Sequence, residues 1–159
     1  MNPAHLHLMI THVPVLGTVF GLCLLLLALL RRSDELKRIA LLVFVVAALL
    51  ALPAYLSGSS ASDLLWRLMP GMMVDTRDQH AEIAVLALAG SLVLGVVSLA
   101  GLIMFRARQQ PPTRFLLFAL LLAVIAGGLL GWTANLGGKI RHLELQPQTF
   151  TAPVQTLTM

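Results

Sequence analysis

Residues 83–105 read IAVLALAGSLVLGVVSLAGLIMF. The stretch carries no charge, and a helix needs about 20 apolar residues to cross a hydrocarbon core, so this one is long enough to span a bilayer. Three further stretches read the same way: Ile10 to Leu30, Ile39 to Leu56 and Phe115 to Trp132. A chain in lipid must satisfy its own backbone N–H and C=O groups, which makes helices of such segments. The expected fold is all-α, an integral membrane four-helix up-down bundle. Its helices should cover about 3–30, 37–57, 77–105 and 114–136, within a transmembrane domain over 1–144, followed by a polar tail over 145–159.

Composition supports this reading. Of 159 residues, 58% are hydrophobic and 11% charged, against about a quarter charged in an ordinary soluble domain. No stretch is left for a second, soluble domain. The net charge of +4 does not point to nucleic acid, because the basic residues gather in two short connections, Arg31, Arg32, Lys37, Arg38 and then Arg106, Arg108, Arg114. Short connections rich in Lys and Arg stay in the cytoplasm. That places the N-terminus, the loop from Ser57 to Gln79 and the C-terminal tail on the outer side. No Lys or Arg precedes the first apolar run, and Arg31 and Arg32 close it, so the run reads as a retained span rather than a signal peptide. Cys23 is the only cysteine and lies within a span, which excludes an intramolecular disulfide, a thiolate cluster and c-type haem attachment.

Local signals divide the chain further. Asn2 and Pro3 form an N-cap and first helical turn, and Pro14 inside the first helix predicts a kink beside His12. Pro53 should bend the second helix. Ala61 to Met69 mixes Leu64, Leu65, Trp66 and Leu68 with Asp63 and Arg67, as expected of a separate short helix at the lipid headgroups. Thr76 and Gln79 make a capping box that sets His80 near the start of the third helix. Gly137 and Gly138 should end or bend the fourth, leaving His142 on a short tail.

The chemistry lies with the histidines. All five, His5, His7, His12, His80 and His142, fall near helix ends assigned to the outer side. A neutral imidazole nitrogen binds metals and haem iron, so such a cluster points to a redox or metal site. Depth follows from counting back to each helix's cytoplasmic arginine. His5 stands 26 residues before Arg31 and His80 stands 26 before Arg106, which puts both roughly 39 Å up and lets them face each other. His12, 19 residues from Arg31, lies deeper, at about 28 Å. The same count reaches Ser57, Ala87 and Thr133 on the other helices, a layer that could floor a pocket. His7 points away from His5 and His12, which share a face.

Below His80 the same face continues as Ala84, Ala87, Ser91, Gly95 and Ser98, and the fourth helix shows Ala119, Ala123, Gly127, Gly131 and Asn135 at intervals of four. Two explanations stand. Small residues let helices approach closely in lipid, and they also leave room for a flat ligand. A b-type haem held by two histidines needs ligands on facing helices at similar depth, a condition met by His5 with His80, and His12 with a tail-borne His142 could form a second pair. Arg141 and Lys139 could meet a haem propionate or a lipid headgroup. Copper or zinc is the alternative occupant, with His5, His7, His12, His80 and His142 as the donor pool and Met69, Met72 and Met73 as thioethers nearby. Glu82, in the first turns of its helix, either compensates the dipole or orients a histidine.

Two segments carry a resemblance: NPAHLHLMITHVPVLG at Asn2 to Gly17 and WTANLGGKIRHLE at Trp132 to Glu144. With YLSG at Tyr55 to Gly58 and the His80 region, they resemble a family of small bacterial four-span membrane proteins known only as a transmembrane domain of unknown function. Members tend to carry histidines where His5, His7, His12, His80 and His142 stand, and some relatives look fused to c-type cytochrome domains. The resemblance implies a bacterial inner membrane, a redox setting and haem. This chain departs from it in having Leu143 where proline is usual and YLSG where YLTG is more frequent.

The leading expectation is therefore a membrane b-haem protein, an electron-transfer subunit rather than a stand-alone enzyme, working between the quinone pool or a partner complex and an outer-side cytochrome. The alternatives are a non-haem copper or zinc protein and a structural subunit of a larger respiratory complex. No serine, cysteine or carboxylate constellation supports hydrolysis.

Overall fold

A computed structural model describes residues 3–68, 74–105 and 111–141. Among these it contains helix and no strand: α1 (Pro3–Arg31), α2 (Asp34–Leu68), α3 (Val74–Met104) and α4 (Thr113–Arg141). All four are long and apolar enough to cross a membrane, over His7–Arg31, Asp34–Ser60, Thr76–Met104 and Thr113–Lys139.

Three boundaries differ from the sequence reading. Helix α3 begins at Val74, which puts Thr76 inside the helix and not at its cap, and the other two differences have a visible reason. The expected short helix from Ala61 is not separate, because α2 continues without a break to Leu68. Ser57 and Ser59 donate their hydroxyl protons to the carbonyls of Ala54 and Leu56, so these serines join the helix instead of competing with it. The fourth helix does not stop at Gly137 and Gly138 but runs to Arg141. A helical glycine costs about 1 kcal/mol relative to alanine, and the packing of Gly137 described below shows why one is kept. Helices α1 and α2 also pass through Pro14 and Pro53 without interruption.

The turn between α1 and α2 is two residues long. Arg32 adopts a left-handed backbone with φ 51°, and the Ser33 N–H reaches back to the Ala28 carbonyl at 3.1 Å, which closes α1 in a Schellman-type cap. Ser33 then caps α2 by accepting from the Leu36 N–H, with Asp34 and Glu35 in the first turn, where the helix dipole favours carboxylates. A non-glycine residue in the left-handed region is strained. Arg32→Gly is expected to stabilise the protein by roughly 0.5–1 kcal/mol, read as a rise in thermal midpoint in detergent.

Each helix packs mainly against two others, α1 against α2 and α4, and α3 against α2 and α4, so the four close into a ring. Gly17 meets Ala47 and Gly21 meets Phe44, while Gly90 meets Ala126 and Gly101 meets Phe115. Gly95 meets Ala48, and Arg38 donates to the Phe105 carbonyl at 2.8 Å.

The interior is built from small residues around a few large ones. Phe44, Leu25, Leu41, Leu94 and Leu116 are enclosed with Ala40, Ala119, Ala123 and Ala126, whereas Leu16, Phe20, Leu30, Leu56, Val96 and Leu121 lie on the outside. This distribution suits a bundle in lipid, where large side chains lose nothing by facing outward and small ones allow close crossings. The α3 stripe faces inward as its spacing implied, with Ala87, Ser91 and Ser98 buried. The α4 stripe is only half right. Ala119 and Ala123 are buried, but Gly131 and Asn135 are exposed, because steps of four advance about 40° each around a helix of 3.6 residues per turn. The buried register alternates threes and fours instead, through Leu116, Ala119, Ala123, Ala126 and Leu130.

Candidate functional site

At the end of the bundle opposite the α1–α2 turn, α1 and α3 each carry an imidazole off the exposed surface, His7 and His80. His7 and His80 are each half-buried, and they lie close enough for their charges to interact. The placement of His7 follows from its register. Pro14, Thr18, Gly21, Leu25 and Ala28 form the buried face of α1, and His7 lies on the same alternation of threes and fours. His5 and His12 sit on the exposed side, and His12 turns its Nδ1 back to the Leu8 carbonyl of its own helix. The α1 histidine that reaches across the bundle is thus His7, where depth counting had matched His5 to His80.

Each of the two rings is anchored through Nδ1. His80 Nδ1 lies 3.0 Å from the Thr133 carbonyl oxygen. A carbonyl only accepts, so Nδ1 carries the proton and Nε2 keeps its lone pair. His7 Nδ1 lies 2.8 Å from Ser57 Oγ. Ser57 Oγ also lies 2.9 Å from the Ala54 carbonyl; with its single proton given to that carbonyl, Oγ accepts from His7 Nδ1–H. The Ala54 carbonyl itself also approaches the His7 ring. His80 thus presents Nε2 to a ligand, and His7 does the same when Ser57 accepts from its Nδ1, the arrangement that acceptors impose on metal-ligating histidines.

Glycines make the seats. A Cβ on Gly58 would stand 3.4 Å from His7 Cε1, and one on Gly137 would stand 3.3 Å from His80 Cε1. Gly137 stays helical where a glycine signalled a stop, because the imidazole of His80 occupies the space its side chain would need.

The remaining expected residues distribute as follows. Ser57 and Thr133 belong to the site, but beside His7 and His80 and not at the depth of His12. The two-residue turn sets Asp34 level with Arg31, so counting α2 from Arg38 misplaced Ser57 by about one turn, roughly 6 Å. Thr133 contributes its backbone carbonyl, while its hydroxyl is spent on Leu129 at 2.9 Å. Ala87 is buried two turns further along α3. Arg141 ends α4, and His142 lies outside the described residues, as do Met69, Met72 and Met73. Sequence reasoning missed Gly58, Gly137 and the Ala54 carbonyl. The small residues in register with His7, above all Thr18, Gly21 and Ala28, were the signal that would have turned that histidine inward.

Among the described residues, no three or more His, Cys, Asp or Glu side chains gather as a metal set. Two imidazoles are the donor set among the described residues, which suits a two-histidine haem better than a closed zinc site of four. Comparison of the chain with protein-family models, curated proteins and solved structures gives no match.

Proposed function

We propose that this chain is a b-type haem subunit of a bacterial inner membrane, in which His7 and His80 would hold the iron. The observation that carries the reading is the pair of half-buried imidazoles on α1 and α3, each anchored at Nδ1. Bound haem iron would supply one-electron chemistry. The chain's own work is to hold two nitrogens in fixed tautomers at one end of the bundle, beside the membrane surface where a soluble partner can approach. On this reading the bundle is up-and-down, its basic turns are cytoplasmic, and the histidine end faces the periplasm. The exchange partners are the quinone pool or a neighbouring complex on one side and an outer-side cytochrome on the other. The likeness to the histidine-rich four-span family belongs to the same proposal, since its motif segments contain His7 and Thr133.

The test is the absorption spectrum of protein expressed with haem supplied and purified in mild detergent. A Soret band and a pyridine haemochrome approaching one haem per chain are expected. Absence of both sinks the haem reading. Stoichiometric copper or zinc without iron would replace it with the non-haem site, and a chain free of all three would leave the structural-subunit role.

A further inference from the structure

The two imidazole anchors look alike in sequence, a hydroxyl residue at the outer end of α2 and another at the outer end of α4, yet they differ in kind. Thr133 receives the His80 proton on its backbone carbonyl, which every residue at that position would offer. Its hydroxyl is turned to Leu129 and is dispensable to His80. Ser57 meets His7 Nδ1 through its side-chain Oγ, and the same Oγ lies within reach of the Ala54 carbonyl. A hydroxyl that gives its one proton to that carbonyl accepts from His7. Gly58, next in the chain, leaves the His7 ring the space beside it.

We propose that Ser57 is a positioning residue that sets the tautomer of His7, and that Thr133 has no such side-chain role. The assignment rests on the reading of His7 and His80 as a ligand pair. A histidine left to itself in water favours the form with hydrogen on Nε2, which cannot ligate through that atom. Ser57 reverses this preference by accepting from Nδ1, and it does so before any ligand arrives. The proton stays on one imidazole nitrogen throughout, so the arrangement needs no other reactant.

The experiment uses the full chain with 15N-labelled histidine in lipid nanodiscs, first without haem. Long-range nitrogen–proton correlation spectra report which ring nitrogen carries hydrogen. Wild-type His7 and His80 should both show Nδ1–H. Ser57→Ala should shift the His7 tautomer ratio toward Nε2–H by about tenfold, the weight of one ordinary buried hydrogen bond. Ser57→Thr should restore it, and Thr133→Val should leave His80 unchanged. Haem titration of the same variants should then show affinity about 10–100-fold weaker for Ser57→Ala alone. An unaltered His7 ratio in Ser57→Ala, a shifted His80 in Thr133→Val, or haem affinity that ignores the His7 tautomer would each overturn the assignment. Failure of the haem reading is distinguishable, because wild-type protein would then take up no haem while the tautomer response to Ser57→Ala persisted.

Discussion

Alanine at His80 is expected to abolish the Soret band of haem-supplied protein, and alanine at His7 to do the same or leave a weak five-coordinate spectrum. Alanine at His5 or His12 should leave the wild-type band in place. The contrast follows from where the rings sit. His7 and His80 are half-buried and anchored through Nδ1 at Ser57 and Thr133, whereas His5 and His12 are exposed on α1. If the two hold iron as proposed, loss of either would leave the other to bind it alone. An equal loss from His5→Ala would show instead that the ligand pair was the one depth counting selected. Thermal midpoints measured without haem provide the control, since loss of the band with unchanged apo stability separates ligation from folding.

Gly95→Val is expected to produce the largest loss of stability in the chain. A Cβ at Gly95 would fall within the van der Waals envelope of Ala48 Cβ, and both atoms belong to helix faces that are buried. Neither neighbour is a flexible side chain able to swing aside. The helices must separate, and the cost of overpacking a close crossing is about 1–3 kcal/mol or more. Thermal unfolding in detergent should fall accordingly. Gly131→Val is the matching substitution on α4, where no atom stands within 4 Å of an added Cβ, and it should be nearly neutral. Equal effects at the two positions would contradict the close approach of α2 and α3.

The contrast between these two glycines also marks how far the sequence could be read. Four apolar runs are visible because lipid demands length and lack of charge, and these are local properties of 83–105 and its three counterparts. Which face of each run turns inward is not local. On α3 the spacing of Ala87, Ser91 and Ser98 identified the buried face, because that stripe alternates as a packed helix does. On α4 a stripe at strict intervals of four drifted off the interior by Gly131. On α1 the eye was drawn to His5 and His12, which share a face, while the inward one is marked by unremarkable residues such as Thr18 and Gly21. The anchors were legible only in part. Ser57 and Thr133 stood out as polar residues in an apolar setting, but that one acts through Oγ and the other through its backbone depends on rotamers and helix contacts that no spacing encodes. Gly137 looked like a helix stop, and the imidazole packed beside it accounts for a small residue there.

The division of labour around the two imidazoles follows the chain itself. His7 and its acceptor Ser57 belong to the first helical hairpin, 50 positions apart, and His80 and its acceptor Thr133 belong to the second, 53 apart. On the proposed reading each hairpin is a half-site, carrying one imidazole and the group beside it. A molecule that engaged both imidazoles would bridge the two hairpins, so its binding energy would also be assembly energy by mass action. Co-expressed fragments 1–70 and 71–159 should associate more tightly when that molecule is supplied.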